Sequence, residues 1–371
     1  MLYLLAQWMV HHGWIDQQTP LLLVIFRAAL SILFSFLLVL ISGKRVISWL
    51  IKQKLGDVPE FNHAGLNAKT KDKANTPTMG GIMILGTIVV STVLFSRLDN
   101  FYIDMGLLCL LWLGAVGGVD DWLKLTQKRR NPGSRDGLFA WEKLLFQVGL
   151  GVLLAIFIYY HGKYAAAHYL NWPLLPSHWV LPTYLFALIA VVVITGTSNA
   201  VNLTDGMDGL ASGCMAIVSF AFMILAYVTG DARWSANLNF NHIRLSGELA
   251  VMCGSITGSC LGFLWYNCNP AQVFMGDTGS LALGGTIGYV AIVIRQEPML
   301  LLVGGIFVVE AVSVMLQVGY FKATHGRRLF LCSPIHHHFH IKGWSEQQIV
   351  VRFWLLSALF AALALATVKL R

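Results

Sequence analysis

Three short acidic stretches carry residues able to do chemistry: Val119-Asp-Asp-Trp122, Asn202-Leu-Thr-Asp-Gly-Met-Asp-Gly209, and the loop from Asn267 to Ser280 that contains Asp277. Each lies at the mouth of a long apolar run. An ionised carboxylate placed like Asp277 is costly unless a cation or a proton satisfies it. Gly276 and Gly279, on either side of it, lack a Cβ and allow a phosphate or metal to approach the backbone. Asp120 and Asp121 close an apolar run, and neighbouring helical residues point about 100° apart. The C-terminal end of a helix disfavours negative charge, so a divalent cation or a basic ligand group is expected to compensate them. Asn202, Asp205 and Asp208 recur every third residue, which on a helical or turn-like segment puts them on one side. The further acidic ligands of a calcium-binding EF-hand do not follow them.

Further candidates surround these acids. Phe274, three residues before Asp277, could offer a flat face to a nucleobase. The run Ser333 to His340 holds His336, His337, His338 and His340. Carboxylates elsewhere favour a hard, oxygen-ligated cation over zinc, so these imidazoles suit phosphate oxygens better than a transition metal. Lys73 and Thr78 end a basic segment and are placed to hold diphosphate charge. Glu310, near the middle of an apolar run, either lines a polar groove or satisfies a neighbouring helix. Five carboxylates (Asp120, Asp121, Asp205, Asp208 and Asp277) gathered on one face would repel one another. Mg²⁺ bridging phosphates relieves that repulsion.

The elements that must position these residues are membrane helices. Of 371 residues 56% are hydrophobic and only 12% charged, which points to a polytopic membrane protein. The expected fold is an all-α integral membrane domain over residues 1–371. Its spans fall at about 21–42, 79–97, 102–119, 141–160, 180–198, 209–229, 247–265, 279–294, 299–319 and 349–368. Lys44-Arg45 is expected to stop the first. Ten spans put both termini on one side. Sixteen lysines and arginines fall in the loops after spans one, three and nine, against seven in the opposite loops and tails. The positive-inside rule therefore makes the first set cytoplasmic and the termini periplasmic or extracellular. The loops at about 43–78, 120–140, 199–208, 266–278 and 320–348 then share the cytoplasmic face with the acids. The net charge of +8 fits anionic lipid and topology control rather than nucleic acid. The six cysteines form no CxxC pair and read as packing residues. Met1 to Gly13 lacks the basic start and small-residue cleavage site of a signal peptide.

Thr76-Pro-Thr-Met-Gly-Gly81, Gly118-Val-Asp-Asp-Trp122, the stretch from Asn199 to Leu210, Val273-Phe-Met-Gly-Asp-Thr-Gly-Ser280 and Pro334-Ile-His-His-His338 closely resemble the phospho-N-acetylmuramoyl-pentapeptide transferase family. This family belongs to the superfamily of polyprenyl-phosphate N-acetylhexosamine-1-phosphate transferases. The resemblance covers nearly the whole chain. It implies that undecaprenyl phosphate attacks the β-phosphate of UDP-N-acetylmuramoyl-pentapeptide to give lipid I and UMP, with Mg²⁺, at a site facing the cytoplasm in the bacterial inner membrane. It implies Asp277, Asp120 and Asp121 as the metal set, with Asp120 also the base or nucleophile and Asp121 supporting the metal or diphosphate. Asn202, Asp205, Gly206 and Asp208 would line the nucleotide pocket and Phe274 would stack on uracil. Lys73, Thr78, Asn267 and His336 to His338 would contact phosphate and sugar, with His336 counted among the catalytic residues beside Asp120, Asp121 and Asp277. A homodimer is implied as well. Two rival readings are a transferase of N-acetylglucosamine-1-phosphate to the same lipid and an ion-coupled secondary transporter. The carrier is disfavoured because the acids gather at one face rather than the midplane, and no half-chain repeat is visible.

Overall fold

The run Gly276–Val293 is apolar on every side and holds five glycines, which suits a helix enclosed by others at close range. In the computed structural model, which describes residues 1–16, 19–53, 76–126, 137–162, 168–171 and 178–368, this run is the central helix. Every residue from Thr278 to Val293 is buried.

The helices in chain order are α1 (Leu2–His11), α2 (Val24–Lys52), α3 (Gly81–Phe95), α4 (Phe101–Thr126), α5 (Ala140–His161), α6 (Thr183–Thr204) and α7 (Leu210–Gly230). They continue with α8 (Ala232–Asn237), α9 (Leu249–Asn267), α10 (Gly276–Val293), α11 (Glu297–Val303), α12 (Gly305–Ala323), α13 (Ile335–Ile341) and α14 (Glu346–Thr367). Between α5 and α6, β1 (Tyr169–Asn171) and β2 (His178–Val180) pair antiparallel with Leu170 opposite Trp179. The central helix α10 packs mainly between α4 and α6, with α3 and α7 completing its cage. A second buried helix, α9, packs on α2 and α7. The outer helices keep bare apolar faces, as Leu33, Leu37 and Ile41 of α2 and Leu355, Leu359 and Leu363 of α14 show. Lipid-facing helices need such faces.

Among the described residues eight helices are long and apolar enough to cross a membrane: α2, α4, α5, α6, α7, α9 with its preceding turn, α12 and α14. Of the other two expected spans, α3 is only fifteen residues long and α10 falls outside that set. The ninth expected span is broken at Gly304 into α11 and α12.

Three local expectations are corrected. Lys44-Arg45 does not stop the first helix, which continues to Lys52, because a basic pair ends an apolar stretch without disfavouring helical backbone. Asp120 and Asp121 are not at a helix end, since α4 runs on to Thr126. Asn202, Asp205 and Asp208 do not share one side: α6 ends at Thr204, and the turn that follows sends Asp208 away from the other two. Helical spacing has no meaning across that break.

Charge is also buried far from the acids. Arg27 Nη1 and Nη2 reach Glu248 at 2.7 and 2.6 Å with both side chains buried, and Nη1 donates to Phe95 O at 2.9 Å. This pair lies at the start of α9, whose other end adjoins the acidic loops after roughly 28 Å of helix. The six cysteines are free, four of them buried, in keeping with packing roles.

Candidate active site

The first turn of α10 leaves backbone N–H groups without helical partners, and an acid from α4 takes them. Asp121 Oδ1 accepts from Asp277 N at 3.1 Å, and Oδ2 accepts from Thr278 N at 2.9 Å and Thr278 Oγ1 at 2.6 Å. A carboxylate here also meets the favourable end of the helix dipole. Gly276 has φ +74°, and a Cβ on it would sit 2.6 Å from Asp121 Oδ2, so both backbone and space require glycine. The first turn thereby aims the Asp277 side chain at α4, α5 and α6.

Two lysines meet it there. Lys143 Nζ on α5 lies 2.7 Å from Asp277 Oδ2 and 2.7 Å from Asp120 Oδ2. Lys124 Nζ, one turn beyond Asp120, lies 2.7 Å from Asp120 Oδ2 and 3.3 Å from Asp277 Oδ2. Asp120 Oδ1 accepts from Leu138 N at 2.7 Å. Asn202 Nδ2, on the last turn of α6, donates to Asp277 Oδ1 at 2.7 Å and reaches Ser280 Oγ at 2.9 Å. Below Lys143 on the same face of α5, Gln147 Nε2 donates to Ser198 Oγ at 3.0 Å and Gln147 Oε1 accepts from Asn199 Nδ2 at 2.8 Å. These bonds tie α5 to α6 under the cluster.

The sequence reading missed both lysines as site residues. Lys124 counted only as a topology signal, although its i,i+4 spacing from Asp120 was visible. Lys143 drew no notice, although a lysine inside the start of an apolar run is itself a signal.

The other expected residues divide into groups. Asp205, just past α6, is pushed up to about 8 by burial and then by the charges of Asp277 and Asp121. Thr78 and Phe274 are brought beside α10 by a short bridge, in which Phe274 N donates to Pro77 O and Gly80 N donates to Phe274 O, both at 2.8 Å. Asp208 Oδ2 accepts from Asn269 Nδ2 at 3.0 Å and Ala271 N at 3.1 Å, while its backbone N donates to Glu346 Oε1 at 2.8 Å. Asn267 is buried beneath the loops: Oδ1 accepts from Gly209 N and Ser212 Oγ, and Nδ2 donates to Val273 O. Asp208 and Asn267 thus pin the loops in this structure. Lys73 lies outside the described residues.

The histidine tract forms α13. His336 Nδ1 lies 3.1 Å from Glu310 Oε2, and both side chains are fully buried. Glu310 therefore faces a neighbouring element, one of the two places expected for it. His336 Nε2 presses on Gly206, where a Cβ would collide with it, which sets the ring one residue from Asp205. His337 is buried against His336 with ring centroids 4.2 Å apart. His338 turns the other way, and its Nδ1 accepts from Leu331 N at 3.1 Å.

Oxygen ligand atoms of Asp120, Asp121 and Asp277 lie within 4.8 Å of one another, the one such acidic group among the described residues. Hard carboxylate oxygens at this spacing fit Mg²⁺, which takes one or two carboxylates and completes its octahedron with substrate oxygens and water. Asp277 and Asp120 would hold it. Asp121 would contribute from behind, since both its oxygens are already engaged by the start of α10. Lys124 and Lys143 partner Asp120 and Asp277.

Acids from α4 and α10 meet lysines from α4 and α5 at the mouths of apolar helices, and the Glycosyl transferase family 4 model matches residues 103–295, which places the chain among transferases. The phospho-N-acetylmuramoyl-pentapeptide-transferase signature 1 matches residues 73–85. A protein of that name from Desulfotalea psychrophila is 45% identical over 91% of this chain and 91% of its own. Another from Thermodesulfovibrio yellowstonii is 44% identical over 94% of each, and one from Rickettsia bellii is 41% identical over 94% of each. The chain belongs to the phospho-N-acetylmuramoyl-pentapeptide-transferase family.

Proposed function

We propose that this chain transfers phospho-N-acetylmuramoyl-pentapeptide from its UDP carrier to undecaprenyl phosphate, releasing UMP and leaving lipid I for peptidoglycan synthesis. The observation that carries this reading is the 45% identity to a transferase of that name over 91% of both chains. The charge cluster supplies the chemistry. An oxygen of the lipid phosphate attacks the β-phosphorus as the bond to the UMP oxygen breaks, so one phosphoanhydride replaces another. No separate energy source is needed.

Catalysis of this kind is positioning plus neutralisation of charge on the transferring group. Lys124 and Lys143 would release their hold on Asp120 and Asp277 to contact phosphate oxygens. Asp120, freed, would take the proton of the lipid phosphate, and Asn202 would keep Asp277 aimed. Bound Mg²⁺ would supply Lewis-acid polarisation of the diphosphate and neutralise its charge. Direct attack with Asp120 as base is preferred to an aspartyl-phosphate because both substrates can meet in one site. Inversion at the β-phosphorus is expected, and net retention would remove this preference.

The finer reading has the active site on the cytoplasmic face of the bacterial inner membrane, ten spans with both termini outside, and a homodimer. The basic bias of the loops after spans one, three and nine supports the orientation, and the homodimer rests on the family resemblance. The decisive experiment supplies purified protein and Mg²⁺ with undecaprenyl phosphate and, side by side, UDP-N-acetylmuramoyl-pentapeptide or UDP-N-acetylglucosamine. UMP release and a lipid diphosphate from the first donor alone are expected. Turnover of the second donor alone would assign the rival transferase, and no UMP from either would reopen the carrier reading.

A further inference from the structure

Gln147 is fully buried on a helix that otherwise turns Leu144, Leu145 and Phe146 outward. An amide enclosed in such surroundings is costly without partners. Both of its ends find them on α6. Gln147 Nε2 donates to Ser198 Oγ at 3.0 Å, and Oε1 accepts from Asn199 Nδ2 at 2.8 Å. Ser198 is buried too, and its Oγ donates onward to Leu281 O of α10 at 3.0 Å. A single polar chain thus crosses α5, α6 and α10.

The spacing of this chain repeats that of the charge cluster. Gln147 comes four residues after Lys143 on α5, Asn199 three before Asn202 on α6, and Leu281 four after Asp277 on α10. Residues three or four apart share a helix face, so each member of the chain stacks one turn from a member of the cluster. The acids need no such support, because α4 and α10 pack extensively on each other and carry Asp120 and Asp277 as one unit. Lys143 arrives differently. Its helix packs mainly on α6 and less on α4, and beyond Gln147 its buried residues are Leu150, Gly151, Leu154, Ala155 and Ile158. Dispersion and lipid exclusion hold such a surface without choosing among nearby registers, whereas hydrogen bonds are directional.

We propose that Gln147 is a positioning residue for the transfer: its two bonds to α6 fix the register of α5 that sets Lys143 Nζ between Asp120 and Asp277. This rests on the proposed function, since the aim of Lys143 affects turnover only if the cluster is the transfer site. A slip of one residue moves a side chain about 1.5 Å along the helix and turns it about 100°. Either displacement takes the ammonium off a carboxylate, and a misplacement of about 1 Å can cost on the order of 10²-fold in rate.

Gln147→Met keeps the length of the side chain and loses both bonds. It is expected to lower kcat for lipid I formation roughly tenfold or more. Leu150→Ala loosens the same helix contact without touching a hydrogen bond, and should lower the unfolding midpoint in detergent while kcat stays near wild type. Added to Lys143→Met, the Gln147→Met change should alter kcat by less than about twofold, because the lysine through which it acts is already gone. Near wild-type kcat in Gln147→Met, an equal kcat loss in Leu150→Ala, or losses that multiply in the double variant overturn the assignment. If Gln147→Met does not fold, Asn199→Ala removes one of the two bonds and takes its place in the same cycle. Acetic anhydride reads the position without turnover. Lys143 should be acetylated several-fold faster in the variant than in wild type while Lys124 keeps its rate, and an unaltered Lys143 rate overturns the assignment. Failure of the proposed function shows as no lipid I from wild-type protein, whereas failure of this inference shows as full lipid I formation by Gln147→Met with Lys143 still protected.

Discussion

Lys143 Nζ sits 2.7 Å from Asp277 Oδ2 and 2.7 Å from Asp120 Oδ2, so one ammonium bridges carboxylates from two different helices. Both acids lie at the edge of apolar helices, where charge needs a partner. An ammonium carries three N–H donors, so one remains to meet a phosphate oxygen beside these two carboxylates.

Removing that ammonium should therefore injure turnover more than folding. Lys143→Met is expected to lower kcat by roughly 10²-fold or more, the usual loss when one donor aimed at developing charge is removed. Lys143→Arg should recover part of it. UMP release measured beside a detergent unfolding midpoint checks this, and near wild-type kcat in Lys143→Met would remove Lys143 from the site.

Asp277 receives hydrogen bonds from Asn202 and Lys143, and its backbone N–H donates to Asp121 Oδ1. Asp277→Asn keeps the shape and the backbone contacts while losing the charge. Turnover is expected to collapse with the protein still folded and membrane-inserted. Isothermal titration should show weaker Mg²⁺ binding in the variant, and wild-type Mg²⁺ affinity would exclude Asp277 as a ligand.

Asp205 gives a pH signature. Its carboxyl is raised to about 8 by burial first and then by Asp277 and Asp121. A carboxyl whose folded value lies above its unfolded value near 3.8 favours the native state fully at low pH, and this contribution is lost as pH rises through about 8. In Mg²⁺-free buffer the unfolding midpoint should therefore decline as pH rises from about 5 to about 8. Asp205→Asn should flatten this slope, and an unchanged slope would show that another group sets it.

The buried pair of Arg27 and Glu248 predicts a stability effect without a catalytic one. Arg27→Met strands Glu248 in a site with almost no water, which costs about 3–5 kcal/mol when one partner of a buried pair is removed. The double variant Arg27→Met with Glu248→Gln should recover much of the loss. Thermal unfolding in detergent reads both, and an equally unstable double variant would point to lost packing rather than stranded charge.

Much of this molecule could be read from its residues in order. Runs of apolar residues near the length of a bilayer crossing located the long helices, because lipid admits only segments that satisfy their own backbone hydrogen bonds. Acids at the ends of those runs marked the site, because charge there is too costly to be idle. What sequence could not supply was the partner of each acid. Asp120 and Asp121 are neighbours, yet one turns to two lysines and the other to the first turn of α10, and their directions depend on where α5 and α10 pack. Asp208 shares a motif with Asp205 but holds the loop at Asn269 and Ala271 here, because the chain breaks from helix at Thr204. Local pattern determines which segments enter the membrane; only the packing of helices distant in sequence decides which buried charge neutralises which.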